Sequence, residues 1–294
     1  MLNAECSLAD EIRVLEVKKG SVTFESIAFG ELIRPEIRRD LEGVLRSDSN
    51  LIFKAAELFA RNFEVETGLN LAFIKNIPAG AGLGGGSSNA GTILRFLLNH
   101  YQRELSDKYS PVDLQAEILK IAVRLGADVP FSLFGGAALV SGIGEVIKPV
   151  PGKMASFLDG CEVFIIAPQS PSSTVLAYKA FAESNPWLKT EVRADSLIGD
   201  LTNLESAQDF YQLMNKLTEN DFQALVSSRI PEVGRIIDLL NDLKIGRVVL
   251  SGSGSAILLL PFPKGKFSWE ERSVIRSVLT HNSIKYFDGF LELV

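Results

Sequence analysis

Cysteine and histidine are scarce in this 294-residue chain: only Cys6, Cys161, His100 and His281 occur. With no Cys-x-x-Cys spacing there is no structural zinc site to propose, and a reducing, cytoplasmic setting is the expectation. An excess of basic residues is also lacking. Thirty Lys and Arg face 36 Asp and Glu, a net charge of −6. Neutralising nucleic-acid phosphates needs clustered cations, so a nucleic-acid partner is not expected. The first residues, Met1 to Glu11, carry acidic groups where a signal peptide has a basic head and an apolar run. No stretch approaches the roughly 18 uninterrupted apolar residues of a membrane span. Internal repeats and low-complexity tracts are missing too. What is present, 46% hydrophobic and 22% charged residues, is enough for one large or two medium domains handling small molecules.

Residues 11–17 and 21–24 read as two strands joined at Lys19-Gly20, which predicts a hairpin. From Ser49, Leu51, Ile52, Ala55, Ala56, Leu58, Phe59 and Phe63 recur at helical spacing, with Gly68 expected to close the helix. Leu71–Ile74 predicts a strand ending before Pro78, and Ala90, Ile93, Leu94, Leu97 and Leu98 the apolar face of a helix from about Ser87. Ser110-Pro111-Val112-Asp113 is a strong helix start, with a hydroxyl cap and a proline whose missing N–H costs nothing there, and Gly126 is its stop. Ala137–Ser141 reads as a strand. The turn-rich segment 148–160 suggests a boundary between residues 1–157 and 158–294. Beyond it, strands at 162–167, 247–251, 256–260 and 285–293 alternate with helices at 172–183, 205–217, 231–243 and 268–281, an α+β pattern.

Between the strand and the helix lies Pro78-Ala79-Gly80-Ala81-Gly82-Leu83-Gly84-Gly85-Gly86-Ser87-Ser88-Asn89-Ala90. Small residues let backbone N–H groups approach an anion, and the unpaired amides and positive dipole end of a helix favour a phosphate chain. Ser87 and Ser88 add hydroxyls for phosphate oxygens or for a magnesium ion bridging them. Walker A is excluded because no lysine follows the glycines. Gly80-x-Gly82-x-x-Gly85 satisfies the bare dinucleotide fingerprint, with Glu104 downstream, but Pro78 and the paired serines suit it poorly. A glycine turn that merely packs a helix on a sheet needs fewer glycines.

The run Pro78 to Ala90, with its triple glycine before Ser87-Ser88-Asn89-Ala90, resembles the phosphate loop of the GHMP kinase family. Two later stretches are similar to the same family: Leu125-Gly126-Ala127-Asp128-Val129-Pro130-Phe131 with Gly135 to Glu145 behind it, and Leu250-Ser251-Gly252-Ser253-Gly254-Ser255-Ala256. The triple glycine points to the branch that acts on a cytidine-linked methylerythritol. The resemblance implies a two-domain α+β fold, the first half like domain 2 of ribosomal protein S5 and the second ferredoxin-like. It implies transfer of the γ-phosphoryl group of ATP, with Mg2+, to the 2-hydroxyl of 4-diphosphocytidyl-2-C-methyl-D-erythritol in non-mevalonate isoprenoid synthesis. It further implies that Pro78–Ser88, Asn50 and Lys75 bind ATP, that Asp128 engages the hydroxyl, and that Tyr178, Gly252, Ser253 and Gly254 meet the substrate.

Read without the resemblance, Asp128 is a helix cap, Asn50 another cap, Lys75 a solvated charge, Tyr178 a core aromatic and Gly252–Gly254 a tight hairpin. A homoserine or mevalonate type of GHMP kinase is the nearest alternative, and a non-catalytic nucleotide or metabolite binder the one from another class. Small-molecule partners are expected, a membrane is not, and a homodimer is left open. The magnesium ligands are not legible. Two family features, a Pro-Ala-Lys-x-Asn-Leu strand and a Gly-Tyr-His segment, do not occur. Aligning Ser7–Val14 with the family's first hairpin sets Met1 roughly thirty residues inside the usual start. Either the true start lies upstream, the favoured explanation, or this is a short form that binds both substrates and phosphorylates poorly.

Overall fold

The computed structural model describes residues 1–184 and 204–293. The chain forms two compact units: residues 1–3, 9–77 and 84–149 make the first, and residues 4–8, 78–83 and the described residues from Val150 onward the second. The division falls at Pro149/Val150 rather than at 157/158. Residues 152–158 form a short helix whose Met154 and Leu158 are buried, and the Tyr211 hydroxyl donates to the Phe157 carbonyl oxygen at 2.6 Å within the second unit.

In the first unit the elements run β1 (Leu2–Ala4), β2 (Glu11–Lys18), β3 (Thr23–Phe29), α1 (Pro35–Leu45), α2 (Leu51–Phe63), β4 (Gly68–Lys75), α3 (Gly85–His100), α4 (Gln102–Ser106), α5 (Pro111–Leu125), α6 (Val129–Phe134), β5 (Ala137–Ser141) and β6 (Val146–Pro149). The expected hairpin does not form. β4 is inserted between β2 and β3, antiparallel to the first and parallel to the second. The reason is burial: β4 has buried or half-buried residues along its whole length, whereas about half the residues of β2 and β3 are exposed. A parallel β3–β4 pair requires a crossover, which α1 and α2 supply. Phe59, Phe63, Leu69, Leu71 and Phe73 are sealed in the resulting core together with Ile93, Leu94 and Leu97 of α3. Burying each such side chain contributes roughly 1.5–3 kcal/mol.

Local signals placed α5 and β5 well. The Ser110 hydroxyl accepts from the Asp113 N–H at 3.2 Å, Pro111 opens the helix and Gly126 follows it. The stop of α2 differs from expectation. Glu64, at φ 54°, ends the helix in the left-handed region, and Gly68 opens β4 against the backbone of Gly20 and Ser21. Helix α1 was not legible because its apolar face is thin, with only Leu45 buried.

The second unit runs α7 (Gly152–Leu158), β7 (Glu162–Ala167), α8 (Thr174–Ser184), α9 (Ala207–Leu217), α10 (Phe222–Arg229), α11 (Pro231–Asp242), β8 (Arg247–Leu250), β9 (Ile257–Leu260), α12 (Trp269–His281) and β10 (Lys285–Phe290). Its four strands lie in the order β10-β7-β9-β8, with every neighbouring pair antiparallel. Strand, helices, strand, strand, helix, strand in that order is the ferredoxin-like arrangement. Val233, Ile236, Ile237 and Leu240 of α11 and Ile275 and Leu279 of α12 seal its core. Among the described residues no helix is long and apolar enough to cross a membrane.

Candidate active site

The glycine-rich run divides into two halves. From Gly84 it belongs to the first unit, where Gly84 stands at the N-cap of α3 with φ 66° and the Ser88 N–H closes the first turn on the Gly84 carbonyl at 2.8 Å. The first amides of α3 therefore lack intrahelical partners and project at a positive dipole end. Gly86 is exposed, and Ser87 and Ser88 are half-buried beside it.

Pro78–Leu83 pack in the second unit, and three successive carbonyls are committed there. Gly80 O accepts from Ser172 N at 3.1 Å, Ala81 O from Ala256 N at 2.9 Å, and Gly82 O from Ser251 Oγ at 2.9 Å. Acceptors that would repel an anion are thereby spent on protein donors. Gly82, at φ 72°, has no substitute: a Cβ there would overlap the Ser251 carbonyl oxygen, in a conformation L side chains rarely adopt. Gly80 and Gly84 are also left-handed, at φ 68° and 66°.

Asp128 occupies the N-cap position of α6, yet its side chain makes no capping hydrogen bond. The cap reading is corrected to that extent. Instead the carboxyl is half-buried, and burial alone pushes its pKa up from the ordinary carboxylate value. No donor in the described residues offsets that desolvation. Its neighbour Ala127 is held by a close approach: at Gly144, φ 102°, any Cβ would overlap the Ala127 carbonyl oxygen.

The remaining predicted residues fare unequally. Lys75 is not a solvated charge. Its side chain is 6% exposed, and Nζ lies 2.5 Å from Asp10 Oδ2. Burial pulls the ammonium below its ordinary pKa while Asp10 opposes that shift. Asn50 caps α2, its Oδ1 accepting from Ile52 N at 3.0 Å while Nδ2 donates to Leu45 O at 2.7 Å. Both polar side chains are thus engaged inside the protein. Tyr178 is not a core residue. It is 50% exposed on α8, with its ring edge-on to Phe222 at 4.8 Å.

Gly252–Gly254 sit in the β8–β9 hairpin turn, in which Leu250 pairs Ile257. Polar residues absent from the expectations fasten that turn. Asn220 Nδ2 donates to Leu250 O and Gly252 O at 2.8 and 2.7 Å, Ser172 Oγ to Ser253 O at 2.7 Å, and Thr174 Oγ1 lies 2.9 Å from Ser253 Oγ. The hydroxyl-rich stretch Ser170-Pro171-Ser172-Ser173-Thr174 was the sequence signal for the last two. Among the described residues no cluster of three His, Cys, Asp or Glu side chains could hold a metal by itself.

Known proteins resemble this chain along most of its length. The GHMP kinases N terminal domain matches residues 50–136, and the GHMP kinases C terminal domain residues 200–268. A 4-diphosphocytidyl-2-C-methyl-D-erythritol kinase from Sulfurihydrogenibium sp. (strain YO3AOP1) is 34% identical over 221 residues, 74% of this chain and 72% of the relative. One from Thermosipho melanesiensis is 30% identical over 262 residues, 85% of each. Among solved structures, a 4-(cytidine 5'-diphospho)-2C-methyl-D-erythritol kinase superposes with a TM-score of 0.61 at 26% identity, covering 99% of this chain and 89% of its own. A mevalonate kinase at 16% identity and TM-score 0.65, covering 100% of this chain and 92% of its own, shares the fold. A glycine-rich loop opening a helix, a half-buried aspartate without a hydrogen-bond partner among the described residues and relatives this similar over most of both lengths lead to one conclusion: the chain belongs to the GHMP kinase family.

Proposed function

We propose that this kinase transfers the γ-phosphoryl group of ATP to the 2-hydroxyl of 4-diphosphocytidyl-2-C-methyl-D-erythritol, a step of non-mevalonate isoprenoid biosynthesis. The observation that carries the reading is the 34% identity to a kinase named for that substrate over 72% of its length. The glycine run would hold the triphosphate through backbone N–H groups, with the Ser87 and Ser88 hydroxyls on phosphate oxygens. Asp128 would accept the proton of the 2-hydroxyl as its oxygen attacks the γ-phosphorus, the bond to the β–γ bridging oxygen breaks, and ADP leaves with that electron pair. Tyr178 offers an exposed aromatic face to a base, and Gly252, Ser253 and Gly254 a fastened turn to the substrate's phosphates. Asn50 and Lys75, whose polar groups are engaged elsewhere, would border the nucleotide as fixed walls.

Magnesium fits this donor set. It keeps several waters and binds chiefly through substrate phosphates, needing only one or two protein oxygens, and the Asp128 carboxylate has no hydrogen bond from the described residues to give up. Ser88 and Asp128 are the candidate donors, and the ion would neutralise charge on the β and γ phosphates.

The test is a substrate panel. Purified protein is given Mg-ATP with the cytidine-linked methylerythritol, mevalonate or homoserine, and ADP release is measured. Turnover with the cytidine compound alone is expected. Turnover with mevalonate or homoserine would reassign the substrate, and ATP binding without turnover on any acceptor would make the chain a binder rather than an enzyme.

A further inference from the structure

We infer that Asp10, a residue outside every motif of the sequence, is the positioning residue that clamps both ends of the phosphate loop and sets its affinity for the nucleotide. The inference rests on the reading of Pro78–Ser88 as the ATP loop.

Asp10 stands just ahead of β2 and its side chain is 1% exposed. Its four hydrogen bonds divide between the two ends. Oδ1 accepts the backbone N–H groups of Asn76 and Ile77, both at 2.8 Å, where the chain leaves β4 and turns into the loop. Oδ2 accepts Lys75 Nζ at 2.5 Å and Asn89 Nδ2 at 2.8 Å, and Asn89 lies in α3, directly after the loop. The Asn76 side chain adds a bond from Nδ2 to Ala9 O at 2.7 Å. One carboxylate therefore fixes the residue before Pro78 and the residue after Ser88 to the same point. The packing is tight: a Cβ at Gly85 would lie 2.9 Å from Ile77 Cγ2 and 3.2 Å from Lys75 Nζ.

A buried ion pair of this kind is a poor source of net stability, because desolvating both partners offsets most of their attraction. What it supplies is geometry. Both carboxylate oxygens are saturated by donors from fixed directions, so the loop ends have one arrangement and little ordering remains to be done when a phosphate arrives. Lys75 serves the clamp: its charge holds the carboxylate, and its Nζ lies close to Gly85 at the start of α3.

The test uses Asp10→Asn and Asn89→Ala in the full chain. At position 10, asparagine keeps an acceptor for the two backbone amides but turns an NH2 group towards the Lys75 and Asn89 donors. Mg-ATP affinity is measured by calorimetry, thermal stability alongside it, and amide hydrogen exchange without ligand. Asp10→Asn, which forfeits the bonds from Lys75 and Asn89 to Oδ2, is expected to weaken Mg-ATP binding by on the order of tenfold. Asn89→Ala should weaken it several-fold. Ser88 and the first turn of α3 should exchange faster in both while α2 amides are unchanged. Lowered melting temperature with unaltered affinity and unaltered exchange at α3 would reduce Asp10 to a structural residue and overturn the inference. Should Asp10→Asn fail to fold, Asn89→Ala decides by the same readouts. If the unsubstituted chain binds no Mg-ATP, the loop assignment itself falls, and the exchange data still decide whether the clamp exists.

Discussion

Asp128, the proton acceptor proposed above, carries a cost in stability. Its carboxyl is desolvated and forms no capping bond, so its pKa is raised by burial. For a carboxyl with a folded pKa above its unfolded value of about 3.9, the favourable contribution belongs to the protonated form. It is fully present below about pH 3.9 and lost as pH rises through the folded value. At neutral pH the buried charge is a standing cost. Asp128→Asn should therefore abolish most turnover, by roughly 10²–10⁴-fold, yet melt higher than the parent at pH 7. That gain should shrink as the buffer is taken towards pH 4. Melting curves across pH check it, and an asparagine variant less stable at pH 7 would mean that the carboxylate has a partner in solution.

At the scale of elements, short-range chemistry decides where helices begin. The start of α12 is a reciprocal capping box: Ser268 Oγ accepts from Glu271 N at 3.2 Å, and Glu271 Oε2 accepts from Ser268 N at 2.8 Å. Ser268→Ala removes one side of it and should cost about 1 kcal/mol in urea unfolding, with faster exchange confined to the first turn. No change in the unfolding midpoint would mean that tertiary contacts alone hold that end. Strand order obeys a different logic. β4 displaced the expected β2–β3 hairpin because the most apolar strand gains most from two neighbours, which a local turn signal such as Lys19-Gly20 does not report.

For the whole molecule the relevant quantity is linkage. A chain that binds Mg-ATP only when folded is stabilised by RT ln(1 + [L]/Kd), about 2.7 kcal/mol at a hundredfold excess over Kd. Thermal unfolding should therefore shift upward with Mg-ATP concentration. The shift should be smaller in Asp10→Asn at the same concentration, since a weaker Kd enters the same logarithm. A melting temperature indifferent to Mg-ATP would remove the nucleotide from the account.

The amino-acid sequence by itself determined what depends on near neighbours. The helix that starts at Pro111, the strand Ala137–Ser141, the amide-rich loop and the α+β alternation all rest on caps, turn residues and apolar spacing within a few residues. Motif likeness supplied the family and pointed to Asp128. Only the tertiary structure decided that Lys75 is buried on Asp10, 65 positions away, that Ser172 reaches Ser253, 81 positions away, and that the Asp128 carboxylate is left unspent. The physical reason is that each of these is a pairing or a desolvation settled by what packs from elsewhere in the chain. No local pattern encodes which distant donor meets a carboxylate, or that none does.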